Sequence, residues 1–217
     1  MQINPRAAVM LSCVACLLGS GVAGRTDEKG DALRTQIRTA EKSAKTLSAD
    51  YSVEIVTGKT KTSETGTLSM KKPLMVKMEQ KGAAKGGLYS DGKHYSITAM
   101  GKQLAHGDAN LASLEGQPAP VLLFFGPGSN IDTMLQGAKT LRNAGTEMVA
   151  GVKCDILELT IKELDMSVRL AANPEHIVIR SEVKMKPDGE TLTIQTCTLK
   201  NLKVNGDLPD ASFALPH

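Results

Sequence analysis

Residues 66–106 read GTLSMKKPLMVKMEQKGAAKGGLYSDGKHYSITAMGKQLAH. Leu68 and Met70 fall on one side of an extended chain before the break at Lys71-Lys72-Pro73, and Leu74, Val76 and Met78 then alternate with Met75, Lys77 and Glu79. This is period two, the period of strands, and not the 3.6 of a helix. Pro73 lacks an N–H and holds Lys72 extended, so it suits a strand end and not the middle of a paired strand. Asp91-Gly92 then separates two short runs and predicts a two-residue hairpin turn with positive φ at both residues. The whole stretch predicts a curved antiparallel sheet.

Upstream, the run from Asp31 places Leu33, Ile37, Ala40, Ala44 and Leu47 on one stripe with charged residues opposite, which predicts an amphipathic helix of about four turns. Its polar face mixes acids with bases and its apolar face has no aromatic, so it reads as a helix packed on the sheet and not as a membrane-surface helix. Tyr51, Val53 and Ile55 then alternate as a first strand, and residues 57–65 read as a long polar turn into the second. Downstream of Asp108 the chain turns apolar between Pro and Gly. Val121 to Phe125 reads as a short buried piece, and Ser129 or Asn130 caps a second helix with Ile131, Met134, Leu135, Ala138 and Leu141 on one stripe. Near the end, Arg180, Glu182, Lys184 and Lys186 alternate with Ile177, Ile179, Val183 and Met185, with Val178 and Ser181 as exceptions, so one sheet face is buried and one is wet. Turns flank this run at Asn173-Pro174 and Pro187-Asp188-Gly189. About ten short strands with two or three helices make an α+β domain with one large antiparallel sheet.

The chain has 217 residues, enough for one domain with an ordinary core. Residues 1–24 carry a basic start, an apolar run and a small-residue exit, and read as a secretory signal peptide that leaves residues 25–217 as the mature domain. Cys13 and Cys16 lie within the apolar run and lack the small-residue motif that precedes a lipidated cysteine. The mature form then has no membrane span. The formal net charge of +3 is spread without a basic stripe, which argues against a nucleic-acid partner. Only 3% of residues are aromatic, which leaves the interior to aliphatic side chains and Met. Export favours a disulfide between Cys154 and Cys197, although several strands separate them in a simple meander.

The order Gly66-x-Leu68-x-x-Lys71-Lys72-Pro73, a second strand, a glycine-rich gap, Ser90-Asp91-Gly92-Lys93 and a strand carrying Tyr95 resembles the outer-membrane lipoprotein-sorting (LolA-like) superfamily. The resemblance extends more loosely to residues 148–159 and 205–216. It implies an open half-barrel, a large curved antiparallel sheet wrapped over two to three helices, with the central helices closing its mouth. Leu122 to Phe125 and Met134 to Leu141 are then candidate lid residues. On this reading Leu68, Met70, Val76, Met78, Leu122, Phe124, Phe125, Met134 and Leu135 line a site for acyl chains. Carriers of this family hold an Arg immediately before the Pro, which latches the lid through backbone contacts. Here that latch-like position is Lys72, which lacks the planar fork of Arg.

Catalytic chemistry is thin. His94, His106, His176 and His217 are scattered, with no metal-ligand spacing, nucleophile elbow or phosphate-binding loop in the mature chain. No enzyme activity, cofactor or metal is expected. The reading is a periplasmic or otherwise exported carrier, monomeric and non-enzymatic, for acyl chains of a lipid or lipoprotein. The alternative is an envelope regulatory or structural module on the same fold with a filled core and a protein partner.

Overall fold

The computed structural model describes residues 25–82, 85–110, 138, 140–161, 165–186 and 189–216. Residues 1–24, read as a signal peptide, and the expected lid and acyl-site residues Leu122, Phe124, Phe125, Met134 and Leu135 lie outside the described residues.

Two meanders make up the sheet. The first runs through β2 (Thr46–Thr57), β3 (Thr60–Lys71), β4 (Met75–Lys81), β5 (Gly86–Asp91), β6 (His94–Ala99) and β7 (Lys102–Asp108). The second runs through β8 (Thr140–Val149), β9 (Val152–Ile161), β10 (Met166–Ala172), β11 (Val178–Met185) and β12 (Thr193–Val204). The last strand returns to pair with β2, so among the described residues both meanders fuse into one 12-stranded sheet. Among the described residues all pairings are antiparallel except that of β1 (Arg25–Thr26), which lies parallel to β8 at one edge. Strand β7 forms the other edge, and the sheet is curved but not closed into a barrel.

Helix α1 (Glu28–Ser43) crosses the β8 end of this sheet. Asp27 caps it by accepting the Gly30 N–H, and Glu28 and Asp31 lie in its first turn, where the helix dipole favours acids. The helix thus begins one turn before the apolar periodicity suggests. Leu33 and Ile37 are buried, each contributing roughly 1.5–3 kcal/mol. A network of Arg142, Glu158, Arg169, Glu147 and Arg180 lies on one face of β8–β11, so the apolar stripe of α1 packs on the other. These ion pairs are partly exposed, and each is worth about 1 kcal/mol or less.

Several local expectations are corrected by long-range pairing. Leu47 is not on the helix, which ends at Ser43; Thr46 and Leu47 instead pair with Lys71 and Met70 in β2–β3. Leu141 is not on a second helix but in β8, opposite Leu159, and Ala138 has no regular structure. One α-helix lies within the described residues, and Ile131, Met134 and Leu135 of the expected second helix lie outside them. Residues 57–65 are not a long turn: Gly58 and Lys59 alone reverse the chain, and Thr60 to Thr65 pair with Thr57 to Ser52. Thr suits an extended, half-exposed strand, so a polar run can still be paired. The turn near Gly92 is also different in detail. Only Gly92 has positive φ, while Asp91 folds its carboxylate back to accept the N–H groups of Lys93 (2.8 Å) and His94 (2.7 Å). The irregular burial of Val178 has a cause in a register shift between Ala171 and Ala172, which places Val178 beside Ala172.

Cys154 and Cys197 are both free and buried. Two strands, β10 and β11, stand between β9 and β12, which puts the thiols far beyond the Cα separation a disulfide tolerates. The expected bridge is therefore not made. Burial pushes the Cys197 thiol up to about 12, with the Glu64 carboxylate adding to it, and burial likewise raises Cys154. Both thiols are protonated at neutral pH. Peptide mapping after alkylation without reductant should find neither labelled in the native protein and both labelled after unfolding; a disulfide-linked peptide pair would contradict the sheet order.

Candidate functional site

The β3–β4 hairpin brings four of the residues named from sequence onto one face. Leu68 lies opposite Met78, and Met70 lies opposite Val76. Register then extends both pairs sideways. Leu68 also faces Ala49 on β2, and Met78 faces Leu88, which faces Ile97. Met70 faces Leu47. An apolar row thus runs unbroken from β2 to β6, with a shorter one, Leu47–Met70–Val76, that ends at Ser90 on β5, away from the strands on which α1 mainly packs. Leu68 and Val76 are each 1% exposed, Met70 3% and Met78 8%. Sequence reasoning missed Leu47, Ala49, Leu88 and Ile97 as members of this face. Leu88 and Ile97 alternate clearly enough to have been found; Leu47 was hidden by its helical spacing.

Tyr51 forms part of the same face. Its ring lies over Gly66, directly across the β2–β3 pair, and its hydroxyl donates to Glu64 (2.6 Å). Burial, followed by Glu64, raises the tyrosine far above its ordinary range.

Lys72 sits where this face meets the helix. Its ammonium donates to the Glu41 carbonyl at 2.5 Å, in the last turn of α1, and its own N–H donates to the Lys45 carbonyl at 2.9 Å. Helix-terminal carbonyls have no partner within the helix, so a cation is well placed there. Burial lowers the lysine below its usual range, and the Glu41 carboxylate opposes that shift. These contacts are with α1 and the residues just after it; the stretch expected to form the lid lies outside the described residues.

The opposite face of β4 and β5 is covered by the C-terminal segment. Lys71 donates to Leu208 O (3.1 Å) and pairs with Asp210 (2.7 Å), and the short 3₁₀ helix Asp210–Phe213 buries Phe213 to 1% exposure. A groove of about 590 Å³ opens beside this segment, lined among others by Glu79, Tyr89, Ser96, Thr98 and Gln103. Burial and Glu79 raise the Tyr89 hydroxyl above its ordinary range. Among the described residues no group of three or more His, Cys, Asp or Glu is arranged to hold a metal ion, and no helix is long and apolar enough to cross a membrane.

No protein-family model and no curated protein matches the chain. Solved structures do. MucB is similar with a TM-score of 0.52 at 10% identity, over 88% of this chain and 65% of that one. An uncharacterized conserved protein from Thermus thermophilus is similar with a TM-score of 0.52 at 7% identity, over 87% of this chain and 95% of that one. A LolA superfamily protein from Nitrosomonas europaea aligns with a TM-score of 0.43 at 10% identity, over 84% of this chain and 97% of that one. This chain spans about two thirds of MucB, and at such identities the likeness is one of backbone architecture alone. The fold of this chain, an open curved antiparallel sheet with a helix across it, is shared with MucB and the Thermus thermophilus protein and is the open curved sheet that the sequence resemblance implies.

Proposed function

We propose that the protein is an exported, non-enzymatic binding protein whose apolar sheet face accepts the acyl chains of a lipid or lipoprotein. The observation that carries this reading is the apolar row from β2 to β6 through Leu68 and Met78, with the shorter row Leu47–Met70–Val76 beside it. Met is unbranched and polarizable, so such a surface adapts to chains of varied shape. Each CH₂ removed from water contributes about 0.8 kcal/mol, so one long chain supplies ample driving force before ordering costs. Leu122, Phe124, Phe125, Met134 and Leu135 belong to the proposed site through the family resemblance, as does the latch-like role of Lys72.

The near-complete burial of Leu68 and Val76 favours a second reading, a regulatory or structural module with a filled core. MucB, whose fold is similar, has been solved in complex with MucA(peri). One variant separates the two. Met78→Glu places a charge where an acyl chain would lie, at a cost of several kcal/mol unless water follows it. In an accepting site the expected result is a folded protein that no longer carries the lipid found by extraction and mass spectrometry of the wild type. An unfolded variant, beside a wild type that carries no lipid, would reject the acyl-chain reading. Lys77→Glu, on the opposite face, is the control and should change neither property.

A further inference from the structure

The hairpin between β6 and β7 reverses through Met100 and Gly101, directly beyond the Ala99–Lys102 pair. Both turn residues have positive φ, 50° and 72°. A two-residue turn of this kind favours Asn-Gly or Asp-Gly, because a side chain with a bulky Cβ substituent is crowded in the left-handed region. Met100 breaks that rule, and it gains no packing in return, since it is 67% exposed. Leu104, on the same hairpin, is 66% exposed. Two large apolar side chains thus project from one hairpin at the edge of the sheet.

Lysines outnumber acids around them: Lys81 and Lys85 line one groove with Gly101 of the tip, against the single carboxylate of Glu79. The Met100 N–H donates to the Lys85 carbonyl at 2.6 Å, which brings Lys85 beside the tip, and Lys102 follows the turn; both lysines are exposed. Between Gly82 and Gly107 the only acidic residue is Asp91, and it lies at the far end of β5. The β2–β3 turn, with exposed Lys59, lies at the same end of the sheet, beside the β11–β12 turn with exposed Glu190, so the charge of the tip is set by Lys85 and Lys102.

We propose that this tip is a membrane-docking element that recognises an anionic phospholipid surface. Met100 and Leu104 enter the interface between headgroups and acyl chains, while Lys85 and Lys102 meet the phosphates. Basic residues flanking a small apolar insertion are the composition of an interfacial anchor, and each cation near an anionic surface contributes about fivefold to partitioning. Docking goes beyond acyl-chain carriage: it brings the sheet to a lipid surface whether or not the sheet itself holds a chain.

Cosedimentation with vesicles tests it. The chain should bind vesicles of equal parts phosphatidylglycerol and phosphatidylcholine, bind pure phosphatidylcholine at least tenfold more weakly, and dissociate in about 0.5 M NaCl as charges are screened. Lys85→Glu with Lys102→Glu should abolish the preference for the anionic vesicles. Met100→Asn gives the discriminating result, because Asn suits the turn: its melting temperature should rise by about 2 °C while vesicle binding falls at least fivefold. Wild type that does not prefer anionic vesicles, or a Met100→Asn variant that binds them undiminished, would overturn the proposal. Neither outcome depends on whether the purified protein carries a lipid.

Discussion

Gly66→Ala should lower stability by about 3 kcal/mol, a fall of roughly 6–12 °C in melting temperature for a chain of this size. A methyl group on Gly66 would fall well inside contact distance of both the Glu79 carbonyl oxygen and the Tyr51 ring. The first of these is backbone in the neighbouring strand β4, so it cannot swing aside. The second is a ring that is 3% exposed and tied through its hydroxyl to Glu64. Relief therefore requires β3 to move away from β2 or β4, which disturbs the rows that hold Leu68 and Met78. Thermal unfolding followed by circular dichroism would measure the loss. A variant as stable as the wild type would mean that the β2–β4 spacing is looser than this packing requires. Tyr51→Phe is the milder companion, because it keeps the ring on the glycine and removes only the hydroxyl bond, at a cost of about 1 kcal/mol.

Phe213→Ala should cost a similar amount, about 3–5 kcal/mol, through the lost burial and the cavity left behind. Phe213 is 1% exposed yet stands apart from the main apolar core, since it covers the other face of β4 and β5. The Lys71–Asp210 pair cannot replace it: Asp210 is 67% exposed, and such a pair is worth about 1 kcal/mol or less. Beyond the fall in melting temperature, amide exchange should quicken in residues 207–216 and along β4 and β5, while β9 and β10 stay protected below the global unfolding limit. Uniform acceleration at all sites, or none, would show that the C-terminal segment is not a separately anchored cover.

The strand character of residues 66–80, the reversal at Pro73 and the bend near Gly92 were legible in the chain, because alternation and turn chemistry act over a few residues. The same is true of the stripe Leu33–Ile37 and of the facing of Leu68, Met70, Val76 and Met78, since a period of two places them on one side whatever the neighbours are. Other features depended on which strands become neighbours. Leu47 and Leu141 fit a helical stripe in sequence, but Leu47 is claimed by Met70 and Leu141 by Leu159, and short apolar runs carry too little local preference to resist such pairing. The return of β12 to β2 keeps two strands between Cys197 and Cys154, so an even number of cysteines beyond residue 24 did not suffice to bridge them. Nothing local marks Phe213 as the cover of an outer sheet face, or Met100 as a side chain left in water at a left-handed turn. Local periodicity assigns each residue a side of its own strand; only the closed set of long-range hydrogen-bonded pairs decides what lies across from it.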